Sequence, residues 1–132
     1  MPASGYSTEA NATGTAGHGP LSGLLFLDCG QFLAGPVVSL YAAALGARVI
    51  KIEKPLRGDD SREIGPHCDV SGESSYFMSV NRGKESLTLD LSSEQGKEVF
   101  YQLAQKCDVL VFKLQAAVSC RASGWTMIHS KN

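Results

Sequence analysis

The chain has 132 residues, of which 43% are hydrophobic and 19% charged, proportions typical of one globular domain or part of one. Its 12 Lys and Arg nearly balance 13 Asp and Glu, which argues against a nucleic-acid-binding protein with a broad basic surface. No apolar run approaches the roughly 20 residues of a membrane-spanning helix. Four cysteines without a CxxC pair do not indicate a disulfide framework.

The N-terminal segment, residues 1–19, contains no Leu, Ile, Val, Lys or Arg and is predicted to be a disordered tail. It has neither the charged and apolar regions of a secretory signal nor the arginines of a mitochondrial presequence. The compartment is therefore left open between the cytoplasm and mitochondria.

A first strand–helix–strand unit follows. Residues 24–27 form a short continuous apolar run, as in a strand buried on both faces. Pro36 fits the first turn of a helix, and Gly46 fits its end because glycine adopts positive φ without strain. Residues 49–53 are rich in β-branched residues and predict the second strand. The helical spacing is followed by Val37, Leu40, Tyr41, Ala44 and Leu45.

A second unit of the same kind begins with residues 86–91, which alternate with period 2 as in a strand. Ser92 and Gln95 have capping-box spacing and predict a helix start, and residues 108–111 predict a last strand. One apolar face of the helix consists of Val99, Phe100, Leu103 and Ala104. Residues 20–111 therefore predict an α/β, Rossmann-like parallel sheet made of two βαβ units.

Two segments do not fit this alternation. Residues 54–85 form a long connection with many charges, and connections of this length are usually functional or disordered. Its bases are either phosphate ligands or part of a solvated loop whose acids balance them, and spacing alone favours the second. These bases are Lys54, Arg57, Arg62, Arg82 and Lys84. Residues 112–132 show no period and predict the aberrant ending of a truncated domain, with a genuine irregular segment as the alternative.

Common site motifs are incomplete. The glycines of residues 30–35 have the wrong spacing for a dinucleotide fingerprint, although Glu53 stands where a ribose-binding acid would, so a nicotinamide-cofactor domain remains an alternative. Gly83 and Lys84 lack the rest of a P-loop. The adjacent residues 67–69, His-Cys-Asp, rarely complete a metal site by themselves, and none is predicted.

The run GPLSGLLFLDCGQFLAGPVVSLYAAALGARVIKIEKPLRGDDSRE resembles the start of family III CoA-transferases of the CaiB/BaiF type. The similarity rests on the LxGLxxLD start, the AGP helix start, the LGAxVIKIEKP strand and the GDDSR turn. ESSYFMSVNRGKESLTLDL and GKEVFYQLAQKCDVLV extend it, so that it covers residues 19–111.

The resemblance implies a function. Family members move CoA from an acyl-CoA thioester to a carboxylic acid, and an Asp carboxylate serves as the covalent nucleophile. Their N-terminal part is Rossmann-like and helps to bind CoA, and they form interlocked homodimers. No covalently bound cofactor is implied, because CoA and acyl-CoA are substrates.

By position, the resemblance assigns CoA contacts in three places. Leu33 and Ala34 match residues just before the AGP turn, and Lys54 matches a basic residue that reaches the nucleotide phosphates. The strand end that cradles the adenine, mostly through backbone groups, corresponds to Leu89, Asp90, Leu91 and Ser92.

The chain departs from the family after residue 111. Phe112-Lys113-Leu114 replaces a Glu-Asn-aromatic segment, and the catalytic Asp, which lies beyond this point in the family, has no counterpart. No catalytic residue is therefore predicted, and the chain alone is expected to be inactive and unable to form the interlocked dimer. The alternative is a non-catalytic interaction fragment that pairs with a full-length subunit.

Overall fold

The computed structural model describes residues 18–112, so the predicted tail before residue 18 and the segment after residue 112 lie outside the described residues. The described chain alternates strands with helices. The strands are β1 (Leu25–Asp28), β2 (Arg48–Glu53), β3 (Glu85–Thr88) and β4 (Val109–Val111). The helices are α1 (Ala34–Ala44), α2 (Ser75–Asn81) and α3 (Glu94–Ala104), with a 3₁₀ turn at Asp60–Glu63.

The four strands form one parallel sheet in the order β3-β2-β1-β4. In register, Leu27 of β1 faces Ile50 of β2 and Leu110 of β4, and Ile52 of β2 faces Leu87 of β3. Parallel strands need a crossover connection: α1 supplies it between the neighbours β1 and β2, whereas α3 connects the two edge strands, β3 and β4. The predicted α/β class and the side-by-side parallel strands are confirmed.

Both faces of the sheet are covered. On one face, Phe26 and Val49 pack with Ala42 of α1, and on the other, Leu27 and Ile50 pack with Phe100 of α3. Successive strand residues point to opposite faces, which explains why β1 is a continuous apolar run.

Helix α1 begins and ends where its sequence indicates. Pro36 lies in the first turn, and Gly46 follows the helix with a φ of 97°. The side of α1 that lies on the sheet carries Pro36, Ser39 and Ala42, whereas Tyr41 is 64% exposed and Leu45 is also exposed. Helical spacing therefore identified the helix, while the sheet-facing side uses smaller residues.

The start of α3 corrects one prediction. Ser93, and not Ser92, caps the helix, with its Oγ accepting a hydrogen bond from the Gly96 N–H at 3.0 Å. Ser92 instead donates through its N–H and its hydroxyl to the Asp90 carboxylate, an Asx-turn arrangement. The preceding strand also ends at Thr88, before the predicted end at residue 91.

The connection between β2 and β3 is ordered in large part. It contains helix α2, which packs on α1 and is capped by Ser74, whose Oγ accepts from the Phe77 N–H. Within residues 18–112, no helix is long and apolar enough to cross a membrane.

Candidate functional site

The candidate site lies along the carboxyl edge of the sheet. Residues 29–33 leave β1 at this edge, residues 54–59 leave β2, and residues 89–92 leave β3. Two hydrogen bonds connect these segments, from the Leu89 N–H to the Glu53 carbonyl at 2.9 Å and from the Phe32 N–H to Asp59 Oδ1 at 3.3 Å. Ligands of open parallel sheets bind beyond this edge.

Leu33 and Ala34 stand at the N-terminus of α1. Leu33 occupies the cap position with a half-exposed side chain, and Ala34 is exposed. The cap forms no side-chain hydrogen bond and the first turn contains no acidic residue. The N-terminal amides of an 11-residue helix therefore lie at this edge, and the first turn itself carries no acidic side chain.

Lys54 follows β2 directly and remains accessible. Its side chain is 44% exposed, and its ammonium forms an ion pair with the Asp60 carboxylate. It borders an open pocket of about 200 Å³ between the ends of β2 and β3. The other lining residues are Glu53, Leu56, Arg57, Gly58, Arg62, Ser86 and Thr88.

The four residues after β3 use their side chains for folding. Leu89 and Leu91 pack against the apolar cluster under α3. Hydrogen bonds from Ser92 to the exposed Asp90 carboxylate hold the pKa of Asp90 below its ordinary value. The groups that this turn can offer a ligand are therefore mainly backbone groups.

The structure thus brings all seven predicted site residues to one edge. Two bases of the long connection, Lys84 and Arg62, are paired with carboxylates of the protein and are therefore not free to bind a phosphate. Lys84 is buried against Asp28 and is therefore neither a free base nor part of a solvated loop. Arg62 is paired with the buried Glu53 carboxylate, although its own side chain is 32% exposed. A partner 56 residues away for Lys84 is not visible in local spacing.

Lys84 neutralises the carboxylate at the end of β1. Its ammonium lies 2.9 Å from Asp28 Oδ2 and donates to the Pro36 carbonyl and to Asn81 Oδ1, both at 2.8 Å. Asp28 also accepts from the Ser39 hydroxyl at 2.5 Å and from the Gly30 N–H at 2.8 Å. Burial lowers the pKa of Lys84, and the hydrogen bond to Asp28 partly opposes this effect.

Glu53, at the end of β2, is the centre of a second buried network. Arg62 donates to both of its oxygens at 2.8 Å and stacks over the Phe77 ring at 3.6 Å. The Asp59 N–H and the Ser86 hydroxyl occupy the remaining acceptor positions. Burial alone would raise the pKa of Glu53, but these hydrogen bonds, with that from Arg62 the strongest, lower it to about 2.

The third buried pair joins Lys51 of β2 to Asp59, with 2.7 Å between Nζ and Oδ2. Burial would raise the pKa of Asp59, but the hydrogen bonds from Lys51 and from Ser61 outweigh this and hold it below its ordinary value. Reasoning from the sequence missed all three networks. A signal was present, because Asp28, Lys51 and Glu53 are charged residues inside or at the end of apolar strands and must find partners when buried.

No cluster of three or more His, Cys, Asp or Glu side chains within residues 18–112 is placed to hold a metal ion. The donors at the edge are instead backbone amides and bases. This set suits an anionic organic ligand.

Comparison with known proteins decides the family. The family model of CoA-transferase family III matches residues 21–123, which include the whole described sheet. The chain belongs to this family.

Relatives at 40–50% identity carry out CoA transfer according to their names. The chain is 44% identical over 103 residues to acetyl-CoA:oxalate CoA-transferase of Acetobacter aceti, covering 78% of this chain and 26% of that protein. It is 45% identical over 92 residues to succinyl-CoA:glutarate CoA-transferase of Mus musculus, covering 70% of this chain and 21% of that protein.

A solved family structure has the same fold. The CaiB/BaiF family protein of Brucella suis superposes with a TM-score of 0.74 at 38% identity, covering 82% of this chain and 29% of that chain. The chain therefore spans about a quarter of the length of the relatives that it matches. The resemblance inferred from the AGP, VIKIEKP and GDDSR elements is confirmed.

Proposed function

We propose that this chain supplies the CoA-binding part of an enzyme that transfers CoA from an acyl-CoA to a carboxylic acid. The observation that carries the proposal is the convergence of Leu33, Lys54 and the residue 89–92 turn at one edge of the sheet. These are the positions to which the family resemblance assigns contacts with CoA.

The chemistry of this edge suits CoA. The N-terminus of α1 offers backbone amides to a phosphate, and its first turn lacks acidic side chains that would repel one. Lys54 and Arg57 border the adjacent pocket, and both side chains are accessible. A phosphate that binds Lys54 would compete with Asp60 for the ammonium, so exchange of this surface ion pair accompanies binding in our proposal.

Three carboxylates at the ends of the strands or in the segments that follow them do not suit covalent catalysis. Asp28 and Asp59 are buried against lysines, and Asp90 is held by Ser92. A nucleophile must instead reach the thioester carbonyl with its lone pairs free. We therefore propose that residues 18–112 bind and position CoA and do not attack the thioester.

Calorimetric titration of the purified chain with CoA tests the proposal. We expect binding that weakens about tenfold in Lys54→Ala, as for a charge-assisted phosphate contact. Lys106→Ala is the matched control, because Lys106 is also exposed but follows α3 at the amino edge of the sheet. Absence of CoA binding by the wild-type chain, or an equal loss in both variants, would contradict the proposal.

A transferase assay separates binding from catalysis. With several acyl-CoA donors and with dicarboxylic acids as acceptors, we expect no turnover by this protein chain alone. Turnover above the rate without protein would show that a reactive carboxylate is present in it.

A pairing function is the second candidate, and the surface of α1 favours it. Val38, Tyr41 and Leu45 form an exposed apolar stripe on this helix, which a partner subunit would cover. Co-expression with a full-length family enzyme and joint purification would support pairing. Separate elution of the two chains would exclude it.

The nicotinamide alternative is less well supported. A ribose-binding acid must accept hydrogen bonds from the ribose hydroxyls, but four donors already surround the two oxygens of Glu53. Fluorescence titration with the reduced cofactor tests this reading, and binding would favour it over CoA.

A further inference from the structure

The segment between β1 and α1, residues 29–33, has an unusual backbone conformation. Phe32 has a φ of 62°, the left-handed region that bulky residues rarely enter. Its side chain is 39% exposed, so close packing of the ring does not account for the conformation. Such a conformation persists when surrounding contacts impose it, and these cases cluster at ligand-binding sites.

The contacts that impose it come from Lys51 and Asp59. The Lys51 ammonium donates to the Gly30 carbonyl at 2.9 Å, and Asp59 Oδ1 accepts from the Phe32 N–H at 3.3 Å. The two side chains meet at 2.7 Å and are only 2% and 1% exposed. The pair therefore fastens the segment at two backbone groups on either side of Gln31.

A purely stabilising role explains this arrangement poorly. A buried ion pair often adds no more stability than apolar residues of similar volume. Within residues 18–112, Asp59 Oδ2 has no partner other than the Lys51 ammonium at 2.7 Å, so the Lys51 charge is what offsets its burial. The pair's contacts with this segment go to its backbone, which is the feature that a positioning role requires.

We propose that Lys51 and Asp59 are positioning residues that set the backbone of residues 30–33 for CoA. This inference rests on the proposed CoA-binding function. It assigns to the pair a role beyond stability: the pair holds the Leu33 turn and the N-terminus of α1 in the conformation that binds the ligand.

The experiment uses the whole chain and a double variant, Lys51→Met with Asp59→Leu. Removing both partners leaves no unpaired buried charge, so we expect folding to be retained while both backbone contacts are lost. Asp59→Leu also removes the two hydrogen bonds that Asp59 accepts from Ser61. Arg48→Met is the matched control, because Arg48 lies on the same strand and forms an exposed ion pair with Glu85. Amide hydrogen exchange at Phe32, measured by NMR, and the Kd for CoA are compared in all three proteins.

We expect Phe32 exchange at least tenfold faster and CoA binding at least tenfold weaker in the double variant, with both unchanged in Arg48→Met. Unchanged exchange at Phe32, or faster exchange with an unchanged Kd, would overturn the inference. If the wild-type chain bound no CoA, the proposed function would fail. The exchange rates would still decide whether Lys51 and Asp59 fix the backbone conformation of residues 30–33.

The wild-type chain alone decides the outcome if the double variant does not fold. The intrinsic exchange rate of an unstructured chain with the same local sequence provides the reference for an unprotected amide. Exchange at Phe32 that is slower than this rate supports the inference, and exchange at this rate overturns it.

Discussion

Lys84 and Asp28 are 56 residues apart in the sequence, and their side chains meet with 2.9 Å between Nζ and Oδ2. Both side chains are almost wholly buried, and the same ammonium also holds the carbonyl of Pro36 in the first turn of α1. The ion pair therefore joins β1, α1 and the residue before β3. It makes the geometry of the carboxyl edge depend on contacts between both halves of the chain.

Lys84→Met is expected to lower the free energy of unfolding by about 3–5 kcal/mol, because it leaves Asp28 buried without a compensating charge. Urea denaturation followed by circular dichroism measures this loss. Arg48→Met breaks an exposed pair instead and should cost about 1 kcal/mol or less. Equal losses in the two variants would contradict the prediction.

The free energy of unfolding should decrease as the pH is lowered and Glu53 becomes protonated. Its pKa is about 2 in the fold against 4.5 for the free side chain. A lowered pKa contributes stability that is complete above the unfolded value and is lost as the pH falls through the folded value. Unfolding measured between pH 6 and pH 2 should show this loss below about pH 5, and Glu53→Gln should flatten the curve. A slope unchanged by that substitution would disprove the assignment.

Phe100→Ala should create a cavity under α3, where Phe100 packs with Leu27, Ile50 and Ile52. We expect a loss of about 3–5 kcal/mol in the free energy of unfolding. Val99→Ala on the same helix is the control, because this side chain is exposed, and it should change stability by about 0.5 kcal/mol. A small effect at Phe100 would mean that α3 does not cover this face of the sheet in solution.

Leu56→Gly should leave the chain as stable as before or stabilise it by up to about 1 kcal/mol. Leu56 has a φ of 68° and a fully exposed side chain, so glycine relieves strain without loss of packing. Leu56→Ala keeps the strain and should bring no gain. The midpoints of urea unfolding for the two variants provide the comparison, and a lower midpoint for the glycine variant would refute it.

Local patterns were sufficient to identify most elements. Pro36 and Gly46 bound α1 because the first restricts φ and the second permits positive φ, properties that act within one or two residues. The apolar run of β1 indicated a strand that is buried on both faces. The alternation across residues 86–91 indicated that Leu87, Leu89 and Leu91 share one side, and all three pack against the same apolar cluster. The cap of α3 was wrong by one residue because Asp90 engages Ser92 first.

The candidate site was only partly predictable for a physical reason. Lys54 and Leu33 follow strands, so the parallel topology alone sends them to one edge. The roles of Lys84, Arg62 and Lys51 depend instead on partners brought close by folding, and the free energy of burying a charge is set by these partners. Which side of α1 meets the sheet was likewise left to packing, since its apolar residues extend around the helix.

By itself, the sequence determined the succession of strands and helices along the chain, the family and the edge at which we propose that a ligand binds, because these follow from local backbone preferences and from motifs contiguous in the chain. Only the tertiary structure decided which charges are buried in pairs and which remain exposed at that edge. Electrostatic interactions depend on distance in space and on exclusion of water, and neither quantity is encoded in the spacing of residues along the chain.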